Sequence, residues 1–253
     1  MQTAQIEPKL FQLNILFKRK IINFMSKIRS KLTLMSNLFV NFTRPKVAVH
    51  GIQRSGTNYL CQYLFRSGVG VVNFPDPARN NPRHKHFRWY SNKHAIPAVI
   101  RKQFGNKSTV DSLANLNKIC RYDPETFHFV VIKDKQKWIL SILNWGISCK
   151  WFDSVDDAIE NVPEFLKDYN YYYEFWRSLE RGCPERIRLV SIESIMEDTE
   201  SFNLFLAKIC GLKSVPKFKG IFKKLPQSPI NRCQYFADED IETIKSVLNK
   251  DPY

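Results

Sequence analysis

"HGIQRSGTNYL", His50 to Leu60, is the stretch on which the fold turns. Gly51 and Gly56 have the G-x-x-x-x-G spacing of a phosphate-binding loop, but Thr57 and Asn58 stand where a Walker A motif has Lys and Ser or Thr. The lysine that reaches the terminal phosphates of a nucleoside triphosphate is missing, and so is the hydroxyl that holds Mg²⁺. A cation is still present. Arg54 sits inside the loop, just before Ser55-Gly56-Thr57, and a guanidinium offers a rigid fork of donors suited to phosphate or sulfate oxygens. Ahead of the loop, "KVAVHG" is a short apolar run that reads as a buried parallel strand. Behind it, Tyr59, Leu60, Tyr63 and Leu64 recur at helical spacing. Strand, glycine loop and helix together are the setting in which backbone N–H groups and a helix N-terminus hold an anion. A strand-to-helix turn that happens to contain glycine is the plainer alternative, and the R-S-G-T core weighs against it.

Outward from the loop, strands alternate with helices. Phe127–Ile132 reads as a second buried strand running into a helix over 138–145, and 155–181 is helical and rich in aromatics. "RIRLVSIESI" reads as a third strand, followed by helices over 198–210 and 238–248. Residues 73–94 have the Pro, Asn and basic composition of a loop, with a strand edge near His86. The fold class expected is α/β, with a central parallel sheet flanked by helices over residues 45–253. Residues 1–44 read as a separate, basic amphipathic, helical extension: Lys9, Lys18, Arg19, Lys20, Lys27, Arg29, Lys31 and Arg44 stand against Glu7, a net +7 of the chain's +15. Two readings of it stay open, a peripheral contact of residues 10–40 with an anionic membrane and a helix packed on the domain.

The net charge of +15 in 253 residues points to anionic partners. The six cysteines form no C-x-x-C pair and read as reduced thiols of a cytoplasmic protein. No run approaches the roughly 18 apolar residues a membrane span needs.

"QRSGTNYL" resembles the 5′-phosphosulfate loop of sulfotransferases, closest to the bacterial and carbohydrate types. The resemblance implies a three-layer, P-loop NTPase-like fold. It also implies the donor 3′-phosphoadenosine 5′-phosphosulfate, released as 3′,5′-phosphoadenosine, with no metal. Arg54, Ser55, Gly56, Thr57 and Asn58 become contacts to the phosphosulfate, and Tyr59 falls where cytosolic members place a Trp against adenine, with helix packing as its alternative. A second match lies far along the chain. The family holds the 3′-phosphate with an Arg at a strand end and a Ser eight residues later; "VVIKDKQKWILS" offers Lys133 and Ser141 at that spacing. Lys in place of Arg keeps the charge and loses the fork. In the segment the family writes Y-E-x-L, Ile192 replaces the Tyr, and Arg232 is a further candidate for the 3′-phosphate. Between the two motifs, "RHKHFRWY" offers a Lys-His pair like that of the family, with His86 as base and Lys85 as a stabilising cation.

These residues are expected to carry sulfuryl transfer to a hydroxyl of a carbohydrate or glycolipid, with 73–95 and 146–175 lining the acceptor's site. The competing readings are a P-loop nucleotide or small-molecule kinase using Mg-ATP, with Asp134 as metal ligand, a nucleic-acid-binding module, and an inactive relative. The aromatics Trp89, Tyr90, Trp138, Trp145 and Trp151 sit at core-like positions and no nucleic-acid motif accompanies them, so no nucleic-acid partner is expected.

Overall fold

The computed structural model describes residues 46–73, 79–89, 96–101, 110–212 and 235–251. The chain falls into two units, Met1–Thr43 and Arg44–Tyr253, and all described residues belong to the second. The extension 1–44, its stretch 10–40, Arg232 and parts of the 73–95 segment lie outside the described residues.

The strands are β1 (Lys46–His50), β2 (Gly70–Val71), β3 (Phe127–Ile132) and β4 (Ile187–Ser191), and the sheet order is β2-β1-β3-β4. Every pairing is parallel: Val47 opposite Val71, Val49 opposite Phe129, Phe129 opposite Arg188. Parallel strands need crossovers, and helices supply them: α1 (Thr57–Arg66), α2 (Ala98–Arg101), α3 (Leu113–Cys120), α4 (Lys135–Ser148), α5 (Val155–Glu160), α6 (Val162–Gly182), α7 (Ile192–Glu197), α8 (Thr199–Cys210) and α9 (Asp238–Asn249).

Side chains alternate across the sheet with period two, so each strand feeds two cores. Val47, Val49, Phe127, Phe129 and Val131 face a core closed by Leu60, Tyr63 and Leu64 of α1 and by Phe202 and Leu206 of α8. Ala48 and Val130 face the other, closed by α4, α6 and α9. Helix α6 presents Val162, Phe165, Leu166, Tyr169, Tyr172, Tyr173, Trp176 and Leu179 as one buried stripe at helical spacing. Helices therefore lie on both faces, which is why β1 and β3 read as unbroken apolar runs. Among the described residues no helix is long and apolar enough to cross a membrane.

Several expectations move. The third strand stops at Ser191, whose side chain caps α7 by accepting from Ser194 N at 2.9 Å, so "IESI" is helix and not strand. Asn161 divides the 155–181 helical stretch into α5 and α6. No strand forms at His86; Arg79–Trp89 is turn and irregular chain, held by backbone as well as side-chain bonds.

The order β2-β1-β3-β4 has one structural consequence for function. The chain leaves β1 to one side to make β2 and returns to the other side to make β3. Connections out of β1 and β3 therefore diverge at their carboxyl ends, the usual ligand position of an open parallel sheet. The segments emerging there are Gly51–Gly56 and Lys133–Asp134.

Candidate functional site

The loop after β1 is shaped by close approach. A Cβ on Gly51 would lie 2.6 Å from Ser55 Oγ, 2.7 Å from Thr57 Cγ2 and 2.9 Å from Val131 O, so only glycine fits. Gly56 has φ 105°, left-handed, and a Cβ there would lie 2.7 Å from Ile192 Cγ1. Ile192, where the resembled family has Tyr, thus seats the second glycine. Arg54 also has positive φ, 67°, which costs a non-glycine residue about 1–2 kcal/mol. Arg54 and Asn58 are exposed, whereas Ser55 and Thr57 are buried. The Ser55 N–H is spent on Ile52 O at 3.2 Å. Of the predicted loop contacts, Arg54 and Asn58 offer side chains outward, and Ser55, Gly56 and Thr57 build the turn. Helix α1 starts at Thr57 with no side-chain cap and no acidic residue in its first turn, which leaves the positive end of its dipole uncompensated.

The second motif meets the first in space. Arg54 Nε donates to Ser141 Oγ at 3.4 Å across 87 residues of sequence. Lys133 follows the last residue of β3, and α6 pins that strand end: Tyr173 OH donates to Val131 O at 2.9 Å and Tyr169 OH to Lys133 O at 2.7 Å. Burial lowers the Lys133 ammonium from its ordinary pKa, Glu193 opposes that, and the charges of Arg54 and Lys137 reinforce it. Like charges lower a lysine only when they stand close. Arg54 and Lys137 thus stand near Lys133 where β1 and β3 end, with the carboxylates of Glu193 and Asp134 also close to it. Lys137 was not among the residues expected. Its spacing, midway between Lys133 and Ser141 on the stripe 133-137-141, was the available signal.

Lys85 and His86 complete the site from the third side. Lys85 Nζ donates to Asn58 Oδ1 on the first turn of α1, and Gly51 N donates to Lys85 O at 3.0 Å. The Gly51 carbonyl lies 2.6 Å from His86 Nδ1. A carbonyl only accepts, so Nδ1 carries the hydrogen and Nε2 the lone pair. Burial, ahead of all else, pushes the His86 pKa well below its ordinary value; the Gly51 carbonyl opposes this, and Lys85, His84 and Arg88 add to it. His86 is therefore a neutral imidazole at neutral pH, with the lone pair on Nε2.

Tyr59 is half-buried against the core between the sheet, α1 and α8, and burial pushes its hydroxyl up to about 12. Asp134, the metal ligand of the kinase reading, is the N-cap of α4, accepting from Lys137 N at 2.9 Å. Trp89 and Trp138 are core residues, and Trp145 and Trp151 pack against that core. A cleft of about 430 Å³ lies at the amino ends of the strands, lined by Lys46, Thr126, Phe127 and Arg186, and so on the far side of the sheet from the cation cluster.

One feature was invisible in sequence. Arg88 and Asp168 form an ion pair with both side chains at 0% exposure, and the Arg88 guanidinium reaches the loop after β1 through Gln53. Arg88 lies in what reads as a solvated basic loop, and nothing local marks Asp168 as its partner 80 residues away.

Compared with known proteins, the chain matches no family model, no curated protein and no solved structure.

Proposed function

We propose that the protein is a sulfotransferase with a three-layer, P-loop NTPase-like fold. In this reading it moves a sulfuryl group from 3′-phosphoadenosine 5′-phosphosulfate to a hydroxyl of a carbohydrate or glycolipid. The observation that carries this reading is the contact of Arg54 with Ser141, beside Lys133. The two stretches that resemble a phosphosulfate loop and a 3′-phosphate motif meet where β1 and β3 end. A donor with anionic groups at two positions fits a cluster of three cations at one end of the sheet, two of which no Walker motif would require.

The bound donor supplies an activated sulfuryl group; the residues supply binding, orientation and a proton acceptor. Arg54, the α1 N-terminus and Asn58 hold the phosphosulfate end. Lys133 and Ser141 hold the 3′-phosphate, with Lys137 adding charge. His86 takes the acceptor's hydroxyl proton on Nε2, as the acceptor oxygen bonds to sulfur and the sulfur–oxygen bond to phosphate breaks. Lys85 stands next to that base and offsets negative charge on the leaving oxygen. The net charge of +15 suits an anionic glycan or a lipid headgroup as acceptor, and residues 10–40 supply the contact with an anionic membrane.

Calorimetric titration with 3′,5′-phosphoadenosine in EDTA tests the reading. Micromolar binding by wild type, weakened tenfold or more in Arg54→Ala, is expected. No binding in EDTA together with Mg-dependent binding of ATP would transfer the protein to the kinase reading.

A further inference from the structure

The segment Lys85–Trp89 has no ladder or helix to hold it, yet it carries the base. Its attachments are few and specific. Gly51 grips it with both backbone groups, its N–H on Lys85 O and its carbonyl on His86 Nδ1. Phe87 and Trp89 sink into the core on either side of Arg88. Among the bonds of the Arg88 guanidinium are these four: Nε to Asp168 Oδ1 at 2.9 Å, Nη2 to Asp168 Oδ2 at 2.6 Å, Nη2 to Gln53 Oε1 at 2.8 Å, and Nη1 to His86 O at 2.6 Å. It also lies over the Tyr172 ring, 5.1 Å from the centroid. Gln53 in turn belongs to the phosphate loop, and its carbonyl accepts from Trp138 Nε1 at 2.7 Å.

We infer that Arg88 is a positioning residue for the transfer step: seated on Asp168 of α6, it clamps the His86 carbonyl and the Gln53 side chain, and so fixes the His86 imidazole against Gly51. The inference rests on the sulfotransferase reading for the role of His86. A fully buried ion pair is a poor source of stability, because desolvating two charges offsets their attraction, and apolar replacements are often neutral or better. What such a pair can supply is a unique geometry. Here two of these four bonds go to the functional loop and to the base, and two anchor it to the one helix that also pins the end of β3. Helix α6 thereby sets phosphate loop, base and strand end in one frame. A guanidinium is required for this, since an ammonium cannot span both carboxylate oxygens in plane and still reach two further acceptors.

The clamp has a readout separate from activity. Facing His86 are Lys85, His84 and Arg88 from its own segment; Asp168 and Tyr172 of α6 face the guanidinium. Long-range ¹H–¹⁵N spectra of the imidazoles report which nitrogen of His86 carries hydrogen and where it titrates. Wild type is expected to show the Nδ1–H form, with no titration near pH 6.5. Folded Arg88→Lys is expected to show a mixture of both tautomers and a midpoint shifted toward 6.5 by at least one pH unit, with kcat down tenfold or more and KM within threefold. Folded Arg88→Lys that keeps the wild-type tautomer and midpoint overturns the clamp. If Arg88→Lys does not fold, Gln53→Ala decides, because it leaves the ion pair intact: a shift in the same direction supports the clamp, and an unchanged His86 overturns it. The spectra need no substrate. A wild type that fails to bind 3′,5′-phosphoadenosine therefore sinks the sulfotransferase reading without touching the tautomer result.

Discussion

At the residue scale, His86 is the proton acceptor of the proposed transfer. Its ring is oriented by one carbonyl, and burial keeps it neutral. Replacing it by Asn keeps a side-chain N–H near Gly51 and removes the proton acceptor. Steady-state assays should find kcat lower by roughly 10²–10⁴, the usual worth of a positioned base, with affinity for 3′,5′-phosphoadenosine little changed. The pH profile carries the same claim. Because the pKa lies well below 6.5, the wild-type rate should stay level as pH falls from 7.5 through 6.5 and drop only at lower pH. A rate that halves near 6.5 would mean that His86 titrates as an exposed imidazole and is not the group described.

At the element scale, the segment from β3 into α4 separates the two enzyme readings. Asp134 caps α4 through Lys137 N, and loss of such a cap costs about 0.5–2 kcal/mol. Asp134→Ala should lower the unfolding free energy read from urea denaturation by that amount and leave metal-free binding of 3′,5′-phosphoadenosine within about threefold of wild type. Loss of a Mg-dependent nucleotide affinity in the same variant would instead make Asp134 a metal ligand. This segment was also the most legible part of the sequence. Strands buried on both faces announce themselves as apolar runs, so β1 and β3 could be read to the residue. Ser141 lies on the second turn of α4 and meets Arg54 there, whereas Lys133 precedes the helix, before its cap Asp134. Other elements left less trace. β2 is two residues, Gly70–Val71, too short for any period. Ser191 ends β4 by a cap that looks, in sequence, like one more polar residue of an alternating strand. The Arg88–Asp168 pair is tertiary in origin, and no local pattern encodes it.

Over the whole molecule, buried neutral histidines set the response to acid. His50 Nε2 and His128 Nδ1 lie 3.1 Å apart, and His128 Nε2 lies 2.9 Å from Asn117 Oδ1. Burial is the leading cause that holds His128 to about 3, His84 to about 4, and His50 and His86 well below the ordinary value. The unfolded chain takes up protons near pH 6.5 and the folded chain does not until lower pH. Stability is thus full above 6.5 and falls as pH drops from there toward 4, each such histidine removing up to about 1.4 kcal/mol per pH unit. Urea denaturation at pH 7.5, 6.5, 5.5 and 4.5 should show a midpoint that is flat over the first step and falls over the next two; a midpoint constant to pH 4.5 would contradict the buried-histidine account. The central claim is that one site, where β1 and β3 end, reads both ends of a doubly anionic adenosine donor. The direct measurement compares calorimetric affinities for 3′,5′-phosphoadenosine and 5′-adenosine monophosphate, in EDTA, for wild type and Lys133→Ala. The account predicts a wild-type preference of tenfold or more for the ligand with the 3′-phosphate, as a charge-assisted contact worth about 1.5–3 kcal/mol requires, and loss of that preference in Lys133→Ala. Equal affinity of wild type for the two ligands, or a preference that survives Lys133→Ala, would contradict it.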